Sequence, residues 1–177
     1  MSIRLGTASP ATKSTTKETL DVISQLCRRA ASDSIDILVL PEALLGGYPR
    51  GSSFGCLVGD RSSEGREEFA QYFERAIDLG DTVGDGAGGG SKWVKRELGG
   101  SEHDEVRGDG TREILEQISR DTSILLVTGL VERAGGSLYC TVVYVCPKNG
   151  MIGKRRKVMP VRTCLKATQP RLREHLT

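Results

Sequence analysis

Glu42 ends the run ILVLPE and precedes ALLGGYPRG, so a carboxylate stands at the tip of an apolar segment. Lys157 closes the basic run KRRK within GKRRKVMP, residues 153–160. A charge at the end of a buried strand is rigidly held and opens to solvent, which is where layered α/β folds gather functional side chains. Leu40 and Leu44 flank the glutamate and predict partial desolvation, which raises a carboxyl pKa and suits a general base near neutral pH. Taken alone, such a glutamate serves equally well as a helix cap or an arginine partner. Gly46 and Gly47 permit a sharp turn after it, and Pro49 stiffens the exit. On a strand, Lys157 and Arg155 share one side while Lys154 and Arg156 share the other. One cation of the run can therefore point inward at the end of the sheet while its neighbours stay in water. Glu132, in GLVERAGG, ends another strand before a turn and is expected to pair with an arginine such as Arg133 or Arg155.

The thiols are harder to place. The five cysteines are an odd number, scattered, with no CxxC pair, which argues against a disulfide framework and against a zinc site. Cys27 falls on the apolar stripe of a helix, and Cys140 and Cys146 share one side of a strand. Cys56 follows the glutamate motif in SSFGCLVG, and Cys164 follows the lysine motif. Each reads as a small buried hydrophobe, with Cys56 and Cys164 as weak candidates for a nucleophile.

The elements that must position these groups alternate in type. Ile3 to Ala8 and the continuous apolar run Ile35 to Leu40 read as strands, the second covered on both faces. Thr15 with Glu18 forms a capping box that opens a helix to Arg29, with Leu20, Ile23, Cys27 and Ala30 on one face. Glu64 to Leu79 reads as a second amphipathic helix and Thr111 to Asp121 as a third. Ser123 to Val131 is a buried strand, and Leu138 to Cys146 pairs with Met151 to Lys157 across the turn PKNG. Helices alternating with strands, followed by a hairpin, predict an α/β or α+β layered domain. Residues 81–110 contain GDGAGGGS, GGSEHDE and RGDG, and are expected to be a flexible surface loop. GDGAGGGS lacks the lysine and the preceding strand of a phosphate-binding loop.

Composition narrows the class. A chain of 177 residues is long enough for one core. A net charge of +2 gives no electrostatic case for nucleic acid, and the longest apolar runs are too short to span a bilayer. The N-terminus lacks the apolar core of a secretory signal, so a reduced, cytoplasmic protein is expected.

In these contexts and in this order, Glu42 and Lys157 resemble the nitrilase branch of the carbon–nitrogen hydrolase superfamily. PEALLGGYPRGSSFG is similar to the segment around that family's general-base glutamate. GLVERAGGSLYCTVVYV followed by GKRRKVMP resembles the hairpin that leads to its lysine. The resemblance covers residues 3 to 160 apart from the glycine-rich insertion, and implies the N-terminal portion of a four-layer α-β-β-α sandwich, truncated here. It implies Glu42 as general base and Lys157 as the cation that stabilises a tetrahedral intermediate. A cysteine thiolate would attack a nitrile carbon, and water would hydrolyse the covalent thioimidate, with no metal or organic cofactor. The implied substrate is a small nitrile or amide.

That family places its nucleophile downstream of the lysine in a CWEN-like context, and a second glutamate soon after the Met-Pro. Here VMPVRTCLKATQPRLREHLT follows Lys157 and has neither pattern, and the single tryptophan is Trp93. No nucleophile is therefore identified, residues 161–177 read as a divergent, non-native tail, and the chain as written is expected to be inactive. The alternative is a non-catalytic binding or subunit-like module derived from the same fold. A homo-oligomer, or a partner chain that completes the sheet, fits either expectation; no nucleic acid or membrane partner is expected.

Overall fold

The capping box opens the first helix as its residue types require. The Glu18 N–H donates to the Thr15 hydroxyl, and the Thr15 N–H donates to the Glu18 carboxylate, each at 3.1 Å. In the computed structural model, which describes residues 2–49, 56–57, 60–81, 90–98 and 107–157, the elements in chain order are as follows. Strand β1 (Leu5–Thr7) leads to helix α1 (Thr16–Ser32) and strand β2 (Ile37–Val39). The short strands β3 (Cys56–Leu57) and β4 (Asp60–Arg61), helix α2 (Ser63–Arg75) and helix α3 (Ser91–Val94) come next. Helix α4 (Thr111–Thr122) precedes strands β5 (Leu125–Ala134), β6 (Ser137–Cys146) and β7 (Gly150–Arg156).

The chain divides into two units, residues 1–48 with 75–157, and residues 49–74 with 158–177. In the first, five strands form one mixed sheet in the order β1-β2-β5-β6-β7. The β1–β2 and β2–β5 pairs are parallel, joined by crossovers, whereas β5–β6 and β6–β7 are antiparallel hairpins. The β5–β6 turn places Gly135 and Gly136 at φ +54° and +79°, the left-handed backbone that two-residue hairpin loops demand. The α/β class expected from alternating elements is the class observed.

One face of this sheet is buried. Leu38, Leu126, Leu130, Val143, Val145 and Met151 pack in a single core with Leu20, Ile23 and Cys27 of α1 and Leu115 of α4. Burial pushes the Cys27 thiol up to about 11, the behaviour of an inert core cysteine. The alternate residues Leu5, Ile37, Val39, Val127, Val142 and Tyr144 point the other way, and none of them is buried. Helices on one side and a partly open apolar side opposite is the arrangement of the α-β portion of an α-β-β-α sandwich.

In the second unit, β3 pairs antiparallel with β4, and α2 opens with the Gly65 N–H donating to the Ser62 hydroxyl at 3.0 Å. The helix expected over Glu64 to Leu79 stops at Arg75. Ile77 leaves the helical path because its backbone bonds to β5: its N–H donates to the Val131 carbonyl at 2.8 Å and its carbonyl accepts from Arg133 at 2.9 Å. Apolar residues at helical spacing there serve a strand-like bridge in the first unit instead.

The expectation of a flexible loop over residues 81–110 is corrected for residues 90–98 and 107–110. Trp93, in α3, is 1% exposed and belongs to the core. Its indole N–H donates to the Leu79 carbonyl at 3.1 Å, and Arg112 covers its ring at 4.6 Å. The Arg112 guanidinium also donates to the carbonyls of Trp93 and Val94, at 3.0 and 2.9 Å. A single large aromatic can anchor a segment that has no hydrophobic period, which is why periodicity passed over it. Residues 82–89 and 99–106, and the tail from residue 158 onward with Cys164, lie outside the described residues.

Candidate active site

After β2 the chain crosses over β5, and the crossing point explains where Glu42 stands. The Leu40 N–H donates to the Val127 carbonyl at 2.8 Å, and the Gly129 N–H donates to the Pro41 carbonyl at 3.2 Å. A Cβ on Gly129 would lie 2.6 Å from both the Glu42 Cα and the Pro41 oxygen, so only glycine lets the two backbones meet this closely. Leu40, Ala43, Leu44 and Leu45 are buried around the crossing, and Ala43 takes the left-handed conformation at φ +52°. With its neighbours driven inward, Glu42 is left facing outward, its side chain 49% exposed.

The two charges singled out by sequence meet there. Lys157 Nζ donates to Glu42 Oε1 at 2.9 Å, bridging residues 115 apart in the chain. The antiparallel ladder brings Lys157 to this end, since its N–H donates to the Cys140 carbonyl at 2.8 Å. Lys154 and Arg156 both reach Glu132, as strand alternation requires, and Arg155 and Arg156 both line the cavity beside Lys157. The cavity beside the pair has a volume of about 310 Å³, and its lining includes Leu40, Glu42, Gly129, Cys140, Arg155 and Lys157.

The electrostatics differ from the expectation. Desolvation between Leu40 and Leu44 was to raise the Glu42 pKa; instead the carboxyl is held down at about 2. The hydrogen bond from Lys157 is the chief cause, followed by those from Cys140 and Tyr48, and together they outweigh the slight burial. The leucines are buried but the carboxylate is not. Lys157 is correspondingly pushed up by its bond to Glu42.

Cys140 is the site residue that sequence reading missed. Its thiol donates to Glu42 Oε1 at 3.1 Å, and the Tyr48 hydroxyl lies 3.4 Å from its sulfur. It is half-buried, a site thiol rather than the fully buried hydrophobe expected. Burial, the largest influence, pushes the thiol up, as does the bond to Glu42. Hairpin register held the signal. A regular ladder from the 147–149 turn sets Cys140 opposite Arg156, but the irregularity at Tyr144/Val145 moves it opposite Lys157. Cys56 lies in β3 of the other unit.

Glu132 pairs with cations as expected, but with different ones. Its carboxylate accepts from Arg156 Nε at 2.9 Å and Nη2 at 2.8 Å, from the Thr141 hydroxyl at 2.8 Å, and from Lys154 Nζ. Neither Arg133 nor Arg155 is the partner, because both lie on the wrong side of their strands. Asp81 joins the cluster through Lys154 at 2.6 Å and Arg156 at 2.9 Å. Lys154, Glu132 and Asp81 have fully buried side chains, and Lys154 sits over the Trp93 ring at 4.5 Å. Burial pushes the Glu132 carboxyl up, but Arg156 and Lys154 overcome it and hold it below its ordinary value.

Among the described residues no group of three or more His, Cys, Asp or Glu side chains is placed to hold a metal ion. No described helix is long and apolar enough to cross a membrane.

Comparison with known proteins shows the family. The carbon–nitrogen hydrolase family matches residues 3–177, a span that runs on past Pro160. An arylacetonitrilase of Trametes versicolor is 38% identical over 144 residues, which are 81% of this chain and 36% of that protein. A bifunctional nitrilase/nitrile hydratase of Lupinus angustifolius is 37% identical over 145 residues, 82% of this chain and 33% of that protein. The chain thus spans about a third of the length of these curated relatives. Among solved structures, an amidase from Nesterenkonia sp. AN1 shares the fold with a TM-score of 0.53 at 16% identity, over 94% of this chain and 48% of that one. With the family match running over nearly its whole length, this chain belongs to the carbon–nitrogen hydrolase family.

Proposed function

We propose that the chain carries the base and the cation of a nitrilase-type site acting on a small nitrile or amide. Glu42 is the general base, and Lys157 stabilises the anion that develops at the tetrahedral intermediate. The observation that carries this reading is the 2.9 Å contact between Lys157 and Glu42 beside a cavity of small-molecule size. The two groups are coupled. The bond from Lys157 is the largest cause of the low Glu42 pKa. When the ammonium turns from the carboxylate to a developing anion on the substrate, that restraint goes and Glu42 becomes basic as a proton must be accepted. The relatives named as nitrilases support the substrate class.

The same geometry supports the reading that this 177-residue chain does not turn over nitriles by itself. The covalent route needs a thiolate. Cys140 is near the base, but burial pushes its thiol up, and in the resting site, with Lys157 on Glu42, the proton stays on sulfur. A second reading, a non-catalytic module that pairs with a related subunit, is favoured by the partly open apolar face of the sheet. Ammonia release from aliphatic and aromatic nitriles, measured beside Glu42→Ala, tests the activity. We expect no Glu42-dependent release. Turnover that disappears in Glu42→Ala would overturn the inactive reading.

A further inference from the structure

Three parts of the site meet at one residue of a central strand. The Cys140 thiol donates to Glu42 Oε1 at 3.1 Å, its carbonyl accepts from the Lys157 N–H at 2.8 Å, and its sulfur lies 3.4 Å from the Tyr48 hydroxyl. We propose that Cys140 is a positioning residue of the Glu42–Lys157 site, its thiol fixing the orientation in which the carboxylate meets the lysine. The inference rests on the reading of that pair given above and assigns the thiol a role other than nucleophile.

Glu42 is half exposed and Lys157 is a flexible point charge, so an ion pair between them alone leaves both side chains able to swing. Cys140 is different. It sits in β6, which is paired on one side with β5 and on the other with β7. A donor on that strand offers a short side chain from a backbone that cannot shift. Lys157 Nζ and Cys140 Sγ converge on the same oxygen, Oε1, and so set the rotation of the carboxylate about its last bond. Tyr48, from the segment that follows Glu42, reaches both the sulfur and the carboxylate and completes the contact. The arrangement requires the thiol to keep its proton, and the upward push on Cys140 beside a strongly acidic carboxyl keeps it there.

The groups facing Glu42 are Lys157 at the end of β7, Cys140 on β6 and Tyr48 on its own segment, with Arg155 lining the same cavity. The test follows the carboxyl resonance of Glu42 through an acid titration of the full chain, with folding checked by circular dichroism. Cys140→Val removes the donor and keeps an apolar side chain on the strand, and is expected to raise the Glu42 midpoint by about half to one pH unit, the worth of one modest hydrogen bond. Cys140→Ser, which retains a donor, should restore most of the shift. Lys157→Met separates this inference from the reading beneath it. If Lys157→Met raises the midpoint and a folded Cys140→Val does not, Cys140 has no positioning role. If Lys157→Met leaves the midpoint where it was, the pair itself is refuted and this inference falls with it. Should Cys140→Val not fold, Cys140→Ala is read in its place.

Discussion

Replacing Glu132 by glutamine tests the buried charge cluster that braces β7. Glu132 is 0% exposed and meets Lys154, Arg156 and Thr141. Glutamine keeps the volume but removes the charge, and its amide would turn a donor toward two cations. Lys154 and Arg156 would then share Asp81 as their remaining carboxylate in the cluster, an excess of one buried positive charge. Breaking a buried pair in this way costs about 3–5 kcal/mol, a large share of the roughly 5–15 kcal/mol that holds a domain folded. With a urea slope of about 2 kcal/mol/M, the unfolding midpoint should fall by about 2 M. Lys154→Met added to Glu132→Gln leaves Asp81 with Arg156 and keeps a polarizable group over Trp93. The double variant should therefore recover about 2 kcal/mol relative to the sum of the single losses. Acid behaviour gives a second readout. Glu132 is held below its ordinary 4.5, so its contribution is fully present above that value and is lost as pH falls through the lower folded value. The wild type should lose stability on acidification more steeply than Glu132→Gln. A single-variant loss under about 1 kcal/mol, as for a surface pair, or strict additivity in the double variant, would refute the reasoning.

Trp93→Ala should destabilise the chain by about 3–5 kcal/mol, since it empties a core site and removes the ring beneath Arg112 and Lys154; urea unfolding checks it. A near-neutral result would return that segment to the status of a surface loop. Gly129→Ala should lower the thermal midpoint and shift the Glu42 resonances, because its Cβ would lie 2.6 Å from the Pro41 oxygen; unchanged spectra would show that the crossing is loose. Glu42 should titrate near pH 2 by carboxyl NMR, and the stability it lends is present above 4.5 and lost as pH falls toward 2. A midpoint at or above 4.5 would remove Lys157 from its side.

Much of this was legible in residue types and spacing. The capping box at Thr15, the apolar stripe of α1, the all-apolar β2 and the 147–149 turn are local signals, and each produced its element, although β2 is buried on one face and not on both as expected. The meeting of Glu42 and Lys157 was expected from the resemblance of their two motifs to the nitrilase branch, and strand alternation allowed it. What escaped depends on tertiary contact. Trp93 anchors its segment with one side chain, so no period announces it. Cys140 reaches Lys157 only because of a register irregularity at Tyr144/Val145. The direction of the Glu42 shift could not be read from its buried neighbours, since the hydrogen bond from Lys157, absent from any local window, outweighs them. Glu132 found Arg156 rather than Arg155 by the same strand alternation that sends Lys157 to the other face.

We propose that Glu42 and Lys157 form one binding site for a small nitrile or amide. It is tested most directly by titrating the folded chain with propionitrile and with propionamide while observing the Glu42 carboxyl and Lys157 ammonium resonances. Both resonances should move together and saturate at one ligand concentration, and the Lys157 resonance should stop responding in Glu42→Gln. Resonances at Glu42 and Lys157 that stay fixed at saturating ligand, or a Lys157 resonance that still responds after Glu42→Gln, would contradict it.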